Sequence, residues 1–368
     1  MKLINWKNYL NRNCMKRYIK EKIKSIYTNC ASKIRNNKLK KSFNIKLSNK
    51  ELTDLKLYFG KELSNNQLIC YEFYKSFGLF DPQLMPNDIY AEAERLLNPF
   101  RYSLCAQHKC LLKLFIPAES RPTTIIQNID GHYFDSHDNP ISKKQAIEIA
   151  KGYTPFMIKI AAGSGGGRGI KRVEMINDVE KTFDEYGRDF ICQSVLKEHE
   201  TLARFNPECI NTIRVLSLNI NDKCDILSSF VRMGDLGSIV DNLHSSKGTG
   251  VLVGLKQDGT FHSFGIDKNY NKVMQAPTGI TFEGLKLEYY QEVKEFVQYW
   301  HQRSFPFANL IGWDIIINES GKPIVIEVNL DSADIAAHQI FNGPIFGDRT
   351  QEVLDYMKNN PQKIVIRL

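Results

Sequence analysis

The sequence predicts an α+β fold, with helices and antiparallel hairpins in place of a doubly wound parallel sheet. Three observations carry this. Runs rich in Ile and Val meet across short turns, as in VLVGLKQDGTFHSFGI and LIGWDIIINESGKPIVIEVN. Helical patterns bounded by a Ser cap and a Gly, such as SKKQAIEIAKG, lie between them. Residues 212–220 and 225–233 alternate as long strands.

The chain has 368 residues, 42% apolar and 24% charged, which is the composition of a soluble globular protein with room for two or three subdomains. No apolar run reaches bilayer-spanning length. The amino terminus is basic and lacks the apolar core of a signal peptide, so the expected location is the cytoplasm, with peripheral contact at the inner membrane face as an extension. Eight cysteines are scattered without a CxxC pair, and Cys105 and Cys110 lack a second pair at zinc spacing. Reduced, structural thiols are the expectation. The basicity is local: residues 1–60 hold 16 Lys and Arg against 3 Asp and Glu, and the remainder holds 33 against 38.

Taken in order, residues 1–50 place Trp6, Leu10, Ile19, Ile23, Ile26 and Ile34 at helical spacing among lysines. Such a basic amphipathic helix suits an anionic membrane surface, or packs its apolar stripe on the body of the protein. Nucleic acid is not expected, because Gly and Arg–aromatic interleaving is lacking. Residues 68–98 read as a small helical region and 105–115 as a helix stopped by Pro117. TTIIQ is a strand, 128–139 a polar turn region, and 142–151 a capped helix. PFMIKI and IKRVEM are strands around a glycine-rich loop, followed by a helix over 177–186 and the strand DFICQS. The hairpin 251–266 turns at Asp258 and Gly259, and a helix over 287–303 precedes the last hairpin. The expected divisions are 1–60, 61–122, 123–196 and 197–368.

Chemistry-bearing residues concentrate at two places. Lys159 ends the strand PFMIKI and precedes glycines at 163, 165, 166, 167 and 169. Backbone N–H groups of such a loop can approach phosphate oxygens, and the lysine supplies a point charge. GxxxxGK[ST] is absent and a strand follows, so this is a flap and not a P-loop. In the last hairpin, Glu319-Ser320-Gly321-Lys322 is turn material. A loop of two or four residues sets Asp314 opposite Glu327, with Asn329 on the same face. A loop of three turns Asp314 to the other face. Facing carboxylates in an apolar sheet are compatible with a divalent cation on oxygen ligands, or with an ordinary solvated edge. Arg214 and Arg232, on neighbouring strands, are either buried ion-pair partners or neutralisers of a phosphate. Asp241, Asn242 and Lys247 sit in a polar loop that can close over a substrate, and His199 reads as structural.

The combination of lysine, glycine flap, the strand end FICQSVL and the distal D…ExN hairpin resembles the ATP-grasp superfamily. QSVLKEHETLARFNPECINTIRVLSL, GWDIIINESGKPIVIEVN and NIDGHYFD with ISKKQAIEI make the chain most similar to ATP-grasp proteins associated with sugar transfer and surface polysaccharides. The resemblance covers about residues 85–345. It implies ATP held between two α+β lobes, with adenine near Gln193, Ser194, Val195 and Leu196. Phosphates would meet Lys159, Gly163, Ser164, Gly165, Gly166, Gly167 and an earlier lysine, here Lys109 with Lys113 as the alternative; His108 stands where the family has an acidic residue. Asp314, Glu327 and Asn329 match the magnesium positions, with Glu327 bridging two ions. The implied reaction is ATP-dependent joining of a carboxylate to an amine through an acyl phosphate, with Arg214 and Lys159 as catalytic cations. The implied substrate is a small or lipid-linked sugar or amino acid. The alternatives are a phosphotransferase acting on a hydroxyl and a non-catalytic, membrane-associated scaffold.

Overall fold

The computed structural model describes residues 45–98, 100–164, 167–241, 248–331 and 334–360. Most of the expected basic helix over 1–50, and with it the membrane expectation, lies outside the described residues. So do Gly165, Gly166, Asn242 and Lys247. The chain divides into two compact units, Met1–Leu96 with Phe346–Leu368 and Leu97–Ile345.

In the first unit the helices Asn49–Phe59 and Asn65–Lys75 both start at a serine in a full capping box, Ser48 with Glu51 and Ser64 with Gln67. Lys75 pairs with Glu51 of the first helix at 2.7 Å, and Lys46, just before that helix, pairs with Glu72 of the second at 3.1 Å.

The second unit holds two antiparallel sheets. The smaller is formed by β1 (Thr124–Ile129), β2 (His132–Phe134), β3 (Pro140–Ile141), β4 (Phe156–Ile160), β5 (Ile170–Val173) and β6 (Phe190–Ser194), in the order β3-β2-β1-β6-β4-β5. Ala146, Ile147 and Ala150 of the helix Lys143–Lys151 and Phe183 of the helix Val179–Tyr186 bury themselves against Ile126, Phe156, Ile158 and Phe190. The larger sheet runs β11-β10-β9-β8-β7-β12-β13. Its strands are β7 (Thr212–Ile220), β8 (Lys223–Met233), β9 (Val251–Leu255), β10 (Phe261–Ile266), β11 (Lys272–Val273), β12 (Leu310–Ile317) and β13 (Pro323–Asn329).

One face of the larger sheet is apolar: Ile213, Val215, Val231, Trp313, Ile315 and Val328 pack with Val293 and Val297 of the helix Tyr290–Ser304. The alternating residues Arg214, Arg232, Asp314 and Glu327 therefore share the other face. The helix Ile335–Asn342 covers part of that face. Phe341 lies so close to Gly254 that a Cβ there would come within 2.3 Å of it.

Two local expectations are corrected. Residues 105–115 are not one helix: the helix Phe100–Ala106 stops, and Lys109–Leu114 forms a 3-10 turn. The Lys109 N–H donates to Ala161 O at 2.8 Å, so pairing with the small sheet replaces the helical bond. The region 128–139 is partly strand, because β1 and β2 pair across Asp130 and Gly131.

Asn98 fixes the open end of the last hairpin. Its side chain donates to Leu310 O and Leu330 O, both at 2.6 Å, and accepts from the N–H groups of Asn309 and Leu310. Asn98→Ala should cost about 3 kcal/mol, since these buried backbone groups lose their partner. Chemical denaturation checks this, and an unchanged midpoint would show that water replaces the carboxamide.

Candidate active site

The last hairpin reaches the expected register by an unexpected route. Its loop is Glu319–Gly321, three residues long. Asn318 N donates to Lys322 O, Gly321 N donates to Asn318 O, and Gly321 has φ +77°. Near the turn the strands accordingly pair one position away from expectation, with Ile315 opposite Val325. A β-bulge then leaves Ile326 unpaired and restores Asp314 opposite Glu327 and Gly312 opposite Asn329. The three-residue loop was expected to turn Asp314 away, and the bulge is what prevents it.

Arg214 on β7, Asp314 on β12 and Glu327 on β13 thus form one row across three strands. Asp314 is 2% exposed and lies between two guanidiniums: Arg214 Nε at 2.6 Å from Oδ1 and Arg232 Nη2 at 2.8 Å from Oδ2. Burial works against ionisation, but these two cations outweigh it and hold the Asp314 carboxyl below the usual range. Arg232 also contacts Asp241 at 3.3 Å, and Thr212 Oγ1 donates to the same carboxylate. Asp241, expected as a loop residue facing substrate, is thereby the second carboxylate of Arg232. Both arginines are ion-paired, as one of the two readings anticipated.

Two lysines meet this row from the smaller sheet's side. Lys109 Nζ lies 3.0 Å from Glu327 Oε2 and donates to Ser164 Oγ at 3.3 Å. Lys113, the alternative, instead pairs with Asp138 and donates to Gln127 at 3.0 Å, away from the row. Lys159 is 9% exposed and has no carboxylate partner among the described residues. Burial, helped by the nearby Lys109 charge, pulls its ammonium down to about 8 despite Glu327 and Asp241. An anion beside such a buried cation would offset the cost of its burial.

The loop between β4 and β5 carries Gly163, Ser164 and Gly167, and its glycines have local reasons of their own. Gly163, Gly167 and Gly169 have φ of +69°, +71° and +67°. A Cβ on Gly169 would come within 2.3 Å of Ile160, and one on Gly167 would come within 3.3 Å of Val240. Chain reversal thus accounts for three of the five glycines, and the case for phosphate rests more on the lysines.

Gln193 and Ser194 end β6, with Gln193 buried, and Val195 and Leu196 follow half-buried. Past them Glu198 bridges to Asn318, and His199 N donates to Ile317 O at 2.9 Å, so the chain passes directly onto the tip of the last hairpin. His199 is structural as expected: its Nδ1 accepts from Thr201 N and its ring stands edge-on to Tyr289. Sequence reasoning missed Glu198. Burial pushes its carboxyl up to about 8, against the hydrogen bonds it accepts from Asn211 N and Nδ2 at 2.7 and 2.9 Å. Its neighbours in sequence are charged and gave no sign of that burial.

Asp314, Glu327 and the Asn329 carboxamide form an oxygen-only donor set on one face, which fits Mg²⁺. Among the described residues no group of three or more His, Cys, Asp and Glu is placed to hold a metal ion.

No curated protein matches the sequence. Among solved structures, D-alanyl-alanine synthetase A from Vibrio cholerae is similar at 16% identity, over 70% of this chain and 65% of that one, with a TM-score of 0.41. The ATP-grasp ligase PsnB, complexed with minimal precursor, Mg and ADP, is similar at 12% identity, over 71% and 62%, with a TM-score of 0.41. The biotin carboxylase domain of 2-oxoglutarate carboxylase from Hydrogenobacter thermophilus is similar at 14%, over 80% and 56%, with a TM-score of 0.41. The chain spans less than two thirds of each of these proteins. The family described as sugar-transfer associated ATP-grasp matches residues 121–355. That stretch holds all thirteen strands of both sheets but not Lys109. On this match the chain belongs to the sugar-transfer associated ATP-grasp family.

Proposed function

We propose that the protein is an ATP- and Mg²⁺-dependent carboxylate–amine ligase. The observation that carries this is the convergence of Lys109 and the unpaired Lys159 on the Asp314–Glu327 row. Phosphate oxygens supply the negative charge that Lys159 lacks. The loop that carries Gly163, Ser164 and Gly167 would cover them, with adenine against Gln193–Leu196. Mg²⁺ held by Asp314, Glu327 and Asn329 would neutralise charge on the phosphates; whether one ion or two, with Glu327 between them, belongs to the same reading. The γ-phosphoryl group passes to a substrate carboxylate oxygen, leaving ADP. An amine nitrogen then attacks the acyl carbon, inorganic phosphate departs, and the amine gives up a proton. Arg214 and Lys159 face the charge that develops in these steps, and no protein nucleophile is required.

The family description supports a substrate from glycan assembly: a small or lipid-linked sugar acid or amino acid. Among the described residues no helix is long and apolar enough to cross a membrane. A basic segment over residues 1–50 would bring the protein to an anionic, substrate-bearing surface at the inner membrane face.

Four outcomes are expected. Glu327→Ala should weaken Mg²⁺-dependent ATP binding by about tenfold or more in calorimetry. ADP should accumulate only when both a carboxylate and an amine are present, whereas release with a hydroxyl acceptor alone would make the protein a phosphotransferase. A phosphate beside Lys159 raises its affinity for protons, so ATP binding should take up almost no proton near pH 7 and approach one near about pH 9. Affinity then falls as pH rises past 8. Calorimetry in buffers of different ionisation enthalpy reads the uptake, which Lys159→Met should abolish. Finally, removal of residues 1–44 should abolish co-sedimentation with anionic vesicles, and unchanged sedimentation would refute the surface role.

A further inference from the structure

The charges of this site neutralise one another pair by pair, and the pairs differ in how firmly they are held. Asp314 is 3% exposed at its side chain, and its guanidinium partners are anchored in the sheet, Arg214 at 7% and Arg232 at 19%. Separating them would strand a buried charge. Glu327 is 27% exposed, and its partner Lys109 arrives from a 3-10 turn outside the sheet. The Lys109 ammonium stands 3.0 Å from the Glu327 oxygen and holds Ser164 of the glycine-rich loop with the same nitrogen. An ammonium at that distance already compensates one Glu327 oxygen and would repel a divalent cation approaching the same carboxylate.

We infer that Lys109 is a gate on the metal site: its ammonium holds Glu327 until a polyphosphate draws it away, so metal and nucleotide enter together and metal alone is refused. The inference rests on the nucleotide reading above and adds to it. The amine that later binds phosphate first stands in for the metal, and its departure also releases Ser164. Lys159 cannot do this, having no carboxylate partner among the described residues. Lys109 lies outside the stretch matched to the family, and its hold on Glu327 is read from the geometry of this chain.

The test is Mn²⁺ binding to the full-length, nucleotide-free protein, followed by the electron paramagnetic resonance of free Mn²⁺. Lys109→Met should bind Mn²⁺ about tenfold more tightly than the wild type. Lys109→Arg, which keeps the charge, should not. Lys159→Met removes a neighbouring but unpaired cation and should gain clearly less, and the double variant Lys109→Met/Glu327→Gln should lose the gain. Lys109→Gln stands in if Lys109→Met melts early. Equal Mn²⁺ affinity in the wild type and Lys109→Met, or an equal gain from Lys159→Met, overturns the gate. Mg·ATP titrated into the wild type is read separately. Failure there refutes the nucleotide reading, while the Mn²⁺ series still decides whether Lys109 guards a cation site.

Discussion

The buried Asp314 carboxylate is the constraint on which the larger sheet depends. A charge removed from water this completely must be compensated on the spot, and two guanidiniums from adjacent strands do so. That requirement fixes β8, β7 and β12 in register, because Arg232 and Arg214 can both reach Asp314 only when Arg214 lies directly opposite it. It also fixes which face is polar. Trp313 and Ile315, the neighbours of Asp314, must then point the other way, into the core under the helix Tyr290–Ser304. Packing on one face and charge compensation on the other are two consequences of one alternation.

The same economy of means appears in the turns. Three hairpins close with an Asx side chain immediately before the loop: Asp135, Asp267 and Asn318. Each accepts from the N–H groups two and four residues on. Each has a left-handed residue at the third and last loop position, namely Asp138, Tyr270 and Gly321. A loop of this kind has three residues, not two or four. It would place Asp314 on the core side, and the bulge at Ile326 is the compensating feature. The position of Asp314 beside Glu327 therefore results from two local irregularities that cancel.

The site joins segments far apart in the chain. Lys109 belongs to a turn before the first strand, Lys159 to the smaller sheet, and Arg214, Asp314 and Glu327 to the larger. Segment 194–199 leads from the smaller sheet to the hairpin tip, where Glu198 bridges to Asn318. Among the described residues Arg214, Arg232, Asp241, Asp314, Lys109 and Glu327 are ion-paired with one another, whereas Lys159 has no carboxylate partner.

The amino-acid sequence determined the strands and most of the helices, because period-two alternation and Ser caps are local signals that packing here reinforces. It also determined the family, through the hairpin motif and the residues around the end of β6. The pairing of Asp314 with Glu327 was legible too, although for a different loop than the one present. What only the tertiary structure decided is who partners whom. That Lys109 and not Lys113 reaches Glu327, that Asp241 answers Arg232, that Glu198 is half-buried and that Lys159 has no carboxylate partner among the described residues depend on distances between segments as far apart in the chain as residues 109 and 327. Electrostatic compensation in a protein interior is set by those distances, and no local pattern in the chain encodes them.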